Sequence, residues 1–318
     1  MLEFDINRKT SELRDAATVI VVRDGSQGLE VFCVRRHAKS AFMGGALVFP
    51  GGKVDPSDLD PAWETTATAA DARVLSMTTE RPHALGLCVA ACRETLEEGR
   101  ILPVTPGGVA GAELDALAAE LVAGTRLLDA LVRRGKRLAL DRLVPFSRWV
   151  TPVAESRRFD ARFFLLPLPE GQEGRHDDHE TTMSLWARPS DVLDAAAEGR
   201  FFLAPPTSRT LELLAGERDV HGALALARRQ TLLPICPEFV PGDGDAPPFI
   251  ALPGDPAHSV QERRMDGPSR YVLREGRFAA EDAPEFGKGF ASPDVPGVDT
   301  SLDERDVATS VDDGGSGT

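Results

Sequence analysis

Two runs rich in β-branched residues open the regular pattern of the chain. They lie within residues 16–37, AATVIVVRDGSQGLEVFCVRRH, and the segment DGSQG separates them. β-Branched residues favour extended backbone, and a short glycine-containing loop is typical of a hairpin. The pattern therefore predicts an antiparallel hairpin, followed by a short strand in GGALVFPGGKV with glycine on both sides.

A helical period follows at about residues 84–98. Its apolar positions recur three or four residues apart and form one face: Leu85, Val89, Cys92 and Leu96. Glu94, Glu97 and Glu98 fall on the opposite side. Because residues at i, i+3 and i+4 share a face, the three carboxylates crowd together and repel one another. We therefore expect a compensating interaction at this patch.

The remaining elements are marked mainly by proline and glycine. Residues 56–82 show no firm period and predict a surface excursion with a helical turn near residues 66–74. Alanine- and leucine-rich helices are expected at 112–135. Three further strands are predicted in FSRWVTPVA, FDARFFLLPLP and TTMSLWA. Two further helices are predicted in RPSDVLDAAAEGR and PPTSRTLELLAGE.

The composition changes after residue 230, where Pro, Gly and Asp become frequent. The strand-like segments FIAL and RYVLREGRF predict a small β extension over residues 231–286. Residues 287–318 carry few large apolar groups and are expected to be disordered. The main domain would then span residues 1–230, with an insertion at about 59–84 and extra helices at about 112–142.

Composition and charge exclude several classes of protein. The 318 residues are 42% hydrophobic and 27% charged, as in ordinary globular proteins. A net charge of -14 argues against a nucleic-acid binder, and the sequence shows neither a leader segment nor a spanning apolar run, so we expect a cytoplasmic protein without membrane contact. The cysteines are few and unpaired in spacing, which favours inert thiols over disulfides: Cys33, Cys88, Cys92 and Cys236.

The acidic helix has a counterpart upstream, in FPGGKVDPSD, where two glycines permit close backbone approach at a strand end. Together they resemble the Nudix box, whose pattern is G, five residues, E, seven residues, then R-E-U-x-E-E-x-G-U, U being bulky and apolar. Gly52 matches the first glycine, and Asp58 replaces the glutamate. The core of the pattern is matched by Arg93, Glu94, Glu97 and Glu98.

The match departs from the pattern at three places. Asp58 and Arg93 are separated by 34 residues, 27 more than the pattern allows. Thr95 stands at an apolar position, and Gly99 followed by Arg100 replaces x followed by Gly. An insertion at this place makes the chain similar to the Nudix-type motif 19 coenzyme A diphosphatases and their bacterial relatives. The likeness covers about residues 15–230 and is only loose beyond them, in ALPGDP and YVLREGRF.

This resemblance implies an α/β Nudix fold, with a mixed sheet between helices, inserted helices and the C-terminal β extension. It implies that Mg²⁺ or Mn²⁺ is held by Glu94, Glu97 and Glu98, with the backbone of Gly52 at the metal. Glu94 or Glu98 would also orient the attacking water, and Arg93 would fix a neighbouring glutamate. The alternative is an ordinary acidic surface helix, since R-E-x-x-E-E also occurs by chance.

Two details of the site depend on flanking residues. Glycine after a helix often adopts the left-handed conformation, so Gly99 is expected to end the helix early and splay Glu98. The segment GRHDDHETTMSLW offers Glu180 as a further ligand or base, or alternatively as part of a solvated loop. The H-x-x-H of His176 and His179 is a weak indication of zinc.

Arginines near the predicted strands are candidates for binding substrate phosphate, because a guanidinium engages two phosphate oxygens at once. The candidates are Arg35, Arg157, Arg158 and Arg162. The equally open alternative for the last three is ion pairing with Asp160 or Glu155.

The resemblance implies metal-dependent hydrolysis of a diphosphate linkage in a small nucleotide substrate. Coenzyme A or acyl-CoA is favoured, with adenosine 3′,5′-bisphosphate and 4′-phosphopantetheine as products of coenzyme A. Residue chemistry alone leaves NADH, an ADP-sugar or a dinucleoside polyphosphate open. A non-catalytic nucleotide sensor is the alternative from another class, whereas the charge disfavours an mRNA-decapping enzyme. The resemblance also implies a tendency to form homodimers.

Overall fold

The computed structural model describes residues 12–38, 43–78, 80–153, 155–177, 181–244, 246–274 and 276–284. The predicted disordered segment 287–318 therefore lies outside the described residues, and so does Glu180.

Fourteen strands and seven α-helices occur in the described residues. The strands are β1 (Leu13–Gly25), β2 (Gly28–Arg36), β3 (Leu47–Val48), β4 (Gly51–Lys53), β5 (Val104–Thr105), β6 (Arg137–Leu138), β7 (Val144–Val150), β8 (Arg158–Pro167), β9 (Thr181–Ala187), β10 (Pro234–Ile235), β11 (Glu238–Val240), β12 (Phe249–Ala251), β13 (Arg270–Arg274) and β14 (Arg277–Glu281). The helices are α1 (Trp63–Thr66), α2 (Arg81–Gly99), α3 (Gly111–Val122), α4 (Leu127–Arg133), α5 (Pro189–Ala197), α6 (Pro205–Leu214) and α7 (Val220–Arg229).

A mixed sheet of eight strands forms the centre of the fold. Its order is β10, β7, β8, β1, β2 and β3, with β4 paired to β1 and β9 paired to β2. The pairs β1 with β8 and β7 with β10 are parallel, and the other pairs are antiparallel. The predicted hairpin and the predicted α/β class with a mixed sheet are confirmed. A second sheet, in the order β11, β12, β13 and β14, follows in the C-terminal part.

Alternation along the strands divides the interior into two cores. Residues such as Val19 and Val21 of β1 pack with α2 and the inserted helices. Their neighbours Ile20 and Val22 pack on the other face with α5, α6, α7 and the second sheet. Successive residues of a strand point to opposite faces of the sheet, and both faces are covered here. Both sets of residues are therefore apolar, and the strands appear in the sequence as continuous apolar runs.

The insertion between β4 and α2 is not the surface excursion that the sequence predicted. It contains two short 3₁₀ helices, Pro56–Leu59 and Ala72–Met77, with α1 between them. Trp63 is only 2% exposed, and Met77 is fully buried in the core beside α2. Short helical turns separated by irregular backbone bury single large side chains, and this produces no period in the sequence.

Helix α2 ends differently from the prediction. Gly99 is still helical, and Arg100 takes the left-handed conformation, with φ 53° and ψ 43°. The Arg100 amide donates to the carbonyl oxygen of Leu96, and the Ile101 amide donates to that of Thr95. The residue with positive φ therefore occupies the position where the Nudix pattern has its last glycine. The prediction that Gly99 adopts the left-handed conformation and ends the helix one residue early is wrong.

Replacing Arg100 by glycine is expected to stabilise the fold by about 1 kcal/mol, because the left-handed conformation disfavours any residue with a Cβ. Arg100→Ala is the control, since it removes the same side chain and keeps the Cβ. Urea unfolding of the three proteins measures the difference. A glycine variant no more stable than the alanine variant would contradict the assigned backbone conformation.

Candidate active site

Arg93 lies at the centre of the acidic patch and is itself only 8% exposed. Its Nε and Nη2 atoms donate to the two carboxylate oxygens of Asp58, both at 2.9 Å. Its Nη1 donates to Glu94 Oε1 at 2.8 Å and to Glu97 Oε2 at 3.0 Å. One guanidinium thus offsets the repulsion that the sequence predicts among the carboxylates.

The guanidinium of Arg93 stays protonated despite its burial. Burial alone lowers its pKa, but the hydrogen bonds and negative charges of Asp58, Glu94 and Glu97 outweigh burial and raise the pKa above the ordinary value. For Glu97, burial raises the pKa, and Arg93 opposes that rise without cancelling it. The patch is therefore a hydrogen-bonded network in which the positive charge of Arg93 offsets the neighbouring negative charges.

Asp58 occupies the position of the box glutamate, and its role here is to hold Arg93. The side chain is 2% exposed, and its Oδ2 also accepts the Asp55 amide at 2.8 Å. The inserted residues leave the strand end and return to it, so that Asp58 meets Arg93 despite their separation along the chain. Asp58 is absent from the described wall of the adjoining cavity, which includes Asp55 and Arg93.

The glycine elbow brings backbone against the glutamates. The Gly51 amide donates to Glu98 Oε2 at 3.0 Å. A Cβ placed on Gly52 would lie 2.5 Å from the Glu94 carboxylate, so only glycine leaves room for that carboxylate. Glu98 is 3% exposed and held by this contact, which contradicts the prediction that it splays away.

A cavity of about 580 Å³ opens beside these groups. Its wall includes all three glutamates together with Gly51 and Gly52. Part of the wall consists of residue pairs in register across β1 and β8: Arg14 with Phe159, Ala16 with Ala161, and Thr18 with Phe163. The carboxylates of α2 therefore face an open cavity next to the central sheet.

Of the four arginines predicted to bind substrate phosphate, one lines this cavity. Arg157 lines it, whereas Arg35, Arg158 and Arg162 are absent from its described wall. Arg162 is buried and pairs with Asp15 and Asp160, the alternative that the sequence left open. Burial lowers the pKa of Arg162.

The other two arginines bind backbone carbonyl oxygens. Arg158 Nε donates to Thr151 at 3.2 Å, and Arg35 Nε donates to Gly45 at 3.3 Å. Neither contact brings a guanidinium to the cavity wall.

Arg36 and Arg14 line the cavity, and the sequence reasoning missed both. Adjacent strand residues point to opposite faces, and the register of β2 shifts between Arg35 and Arg36. The buried Nε of Arg36 has no hydrogen-bond partner in the described part of the chain. Alternation along β2 is the signal that could have separated Arg36 from Arg35.

The remaining predicted groups lie elsewhere or cannot be placed. His176 contacts Ser184 through Nδ1, at 3.1 Å from Oγ, and Asp177 accepts the Thr181 amide. Glu180 and His179 lie outside the described residues, so an auxiliary role for Glu180 stays a prediction.

The thiols show no sign of metal binding or reactivity. Cys88 and Cys92 are buried, and burial raises the pKa of Cys88 to about 12 and that of Cys92 well above its ordinary value. Across the described ranges, no three His, Cys, Asp or Glu side chains are arranged as a ready-made metal cluster. No helix in the same ranges is long and apolar enough to cross a membrane.

A solved structure decides the family. The crystal structure of a Nudix hydrolase from Alicyclobacillus acidocaldarius is 31% identical in sequence and superposes with a TM-score of 0.58. The match covers 70% of this chain and 98% of that chain. This chain belongs to the Nudix hydrolases. It is accordingly a hydrolase acting on acid anhydrides in phosphorus-containing substrates.

Curated relatives agree with this assignment. Putative nudix hydrolase 7 of Caenorhabditis elegans is 25% identical, over 84% of this Nudix hydrolase and 81% of its own length. Acyl-coenzyme A diphosphatase NUDT19 of Gallus gallus is 27% identical, over 63% of this chain and 68% of its own length. No protein-family model matches the chain.

Gly52→Ala is expected to lower kcat of this Nudix hydrolase by about 100-fold while leaving it folded. The new Cβ would displace the carboxylate end of Glu94, and a misplacement of about 1 Å can reduce rate to that extent. Gly51→Ala is the matched control. Its Cβ would meet the Ala17 carbonyl oxygen at 2.5 Å, and backbone cannot yield as a side chain can. Thermal unfolding should therefore show a larger decrease in Tm for Gly51→Ala than for Gly52→Ala. A larger decrease for Gly52→Ala would contradict this geometry.

Asp58→Asn is expected to destabilise the Nudix hydrolase by about 3 kcal/mol, because it leaves the buried Arg93 short of an opposite charge. Asp129→Asn serves as the control, since its pair with Arg126 is exposed and should contribute little. Urea unfolding measures both. Equal, small effects would show that the buried pair is dispensable.

Proposed function

We propose that this Nudix hydrolase uses Mg²⁺ or Mn²⁺ to cleave the diphosphate linkage of a nucleoside diphosphate derivative, with coenzyme A or acyl-CoA as the favoured substrate. The observation that carries the proposal is the shared cavity wall. Carboxylates of Glu94, Glu97 and Glu98 stand on it together with the cationic side chains Arg36 and Arg157. A diphosphate bound there would meet both sets of groups.

The residues present fit a hard divalent ion. Mg²⁺ prefers one or two carboxylates together with substrate phosphates, and the available donors are carboxylate oxygens. Glu94 and Glu98 would hold the ion, with Gly52 leaving the room that its Cβ would otherwise fill. Glu97 is the third candidate. When bound, the ion would polarise the diphosphate and lower the pKa of an attacking water.

The chain's own groups supply orientation and charge. Arg93 keeps Glu94 and Glu97 in place through one nitrogen, and the Gly51 amide keeps Glu98. Arg36 and Arg157 line the cavity, and a guanidinium there would engage the phosphate oxygens of the substrate. Glu94 and Glu98 are the candidates for orienting the water, and both are more deeply buried than Glu97.

The preference for coenzyme A rests on two supports. The Gallus gallus and Homo sapiens relatives, at 27% and 26% identity, are named acyl-coenzyme A diphosphatases. The cavity wall also suits a substrate with a charged and an apolar part, since it combines charged groups with apolar residues such as Trp149 and Phe163.

Product release from a panel of diphosphates is the decisive experiment. The panel contains coenzyme A, an acyl-CoA, NADH, ADP-ribose and a dinucleoside polyphosphate, each with Mg²⁺ or Mn²⁺. We expect wild-type turnover of coenzyme A or its ester and a loss of kcat/KM of about 100-fold or more in Glu97→Gln and Glu98→Gln.

Glu113→Gln is the control, because Glu113 is an exposed glutamate at the start of α3. It should match the wild type. Turnover of another panel member alone would replace the favoured substrate, and equal rates in the wild type and both box variants would reject the catalytic assignment.

A further inference from the structure

The C-terminal sheet contributes directly to the cavity. Pro237, just before β11, and Ile250 of β12 are part of its wall. Strand β10 pairs in parallel with β7, where Ile235 lies opposite Trp149. The chain therefore passes from the edge of the central sheet to the cavity wall within two residues, and this fixes Pro237 near Trp149.

Helix α6 adds the adjoining part of the wall with its first turn. Ala204, Pro205, Pro206 and Thr207 line the cavity. A buried arginine ties this helix to the C-terminal sheet. Arg209 donates to the carbonyl oxygens of Asp266 at 2.8 Å and Pro268 at 2.5 Å, and its Nε lies 3.1 Å from the Tyr271 hydroxyl. The helix and the sheet are thus held as one wall.

The chemistry of this wall is mainly aliphatic, with Thr207 as its one hydroxyl-bearing side chain among the described lining residues. Ile250, Pro205, Pro206 and Pro237 carry no hydrogen-bonding group on their side chains, and the prolines also lack an amide proton. A nucleobase is usually specified by polar groups that meet its edges, whereas an aliphatic chain needs only apolar contact. The acidic groups and arginines of the same cavity belong to other elements: β1, β2, α2, the segment after β4 and the segment before β8.

We propose that the C-terminal sheet is part of the substrate site. With the first turn of α6 it forms an aliphatic end that takes an aliphatic chain attached to the phosphate-bearing part of the ligand. Substrates are then distinguished by that chain. This inference rests on the proposed function for the position of the phosphates, but it assigns a separate wall with separate residues.

Binding of two simple phosphates tests the aliphatic end without turnover. Octyl phosphate and methyl phosphate are titrated calorimetrically into the full-length protein in the presence of Mg²⁺. We expect octyl phosphate to bind at least 10-fold more tightly, because it can bury methylene groups that methyl phosphate lacks. In Ile250→Ala this advantage should fall at least 3-fold, and Ile250→Leu should retain it.

Leu252→Ala is the matched control, since Leu252 lies in the same core, loses the same number of carbons and is absent from the described cavity wall. It should keep the advantage of octyl phosphate. If Ile250→Ala does not fold, Pro206→Ser on the α6 side provides the same test at a half-buried position. An equal loss in Leu252→Ala, or no advantage of octyl phosphate in the wild type, overturns the proposal.

Two further arms separate this proposal from its alternatives. AMP is titrated beside the alkyl phosphates; weaker AMP binding in Ile250→Ala with the octyl advantage unchanged would assign this end to a nucleobase and overturn the proposal. Failure of the wild type to hydrolyse any coenzyme A compound would reject the favoured substrate, whereas the alkyl phosphate comparison would still decide the role of Ile250.

Discussion

The buried guanidinium of Arg93 is the contact on which the acidic site depends. Three carboxylates on one short stretch of helix would repel one another, and two of them share a single Arg93 nitrogen. The other side of the guanidinium is held by Asp58, at the far end of a long insertion. Removing either partner would leave a buried charge without its counterpart. The same ion pair therefore stabilises the local fold and positions the carboxylates of the site.

The surroundings of α2 explain why this arrangement is rigid. The helix is packed against the central sheet, the insertion and β4, and both its apolar stripe and Glu98 are buried. Backbone amides and carbonyls complete the contacts, as at Gly51 and at Lys53, whose carbonyl oxygen accepts from Arg93 at 3.0 Å. Side chains held in this way are already positioned before any ligand arrives, which favours binding and catalysis.

The sequence predicted the elements whose pattern is carried by local periodicity. The hairpin, the strands β7, β8 and β9, and the helix with the Nudix glutamates were all recognisable. Features governed by tertiary context were not. Arg36 was passed over for Arg35 because alternation shows that the two face opposite sides of the sheet but not which side bears the cavity. Trp63 begins the single-turn helix α1, which is too short to show a period in the sequence. Helix α7 was not predicted from the sequence. Arg100 adopts a conformation that its residue type disfavours, so no residue-by-residue rule would have assigned it.

The insertion between Asp58 and Arg93 also bears on how such motifs are recognised. Once a bidentate ion pair joins the two ends of a segment, the segment is a closed loop. The entropy of closing a flexible loop grows only logarithmically, by about 0.6 kcal/mol for each doubling of length. The number of residues between the two halves of the motif is therefore weakly constrained, whereas the pairing of acid and guanidinium is strongly constrained. A search that fixes the spacing would overlook chains of this kind, and one that asks for the charge pair would find them.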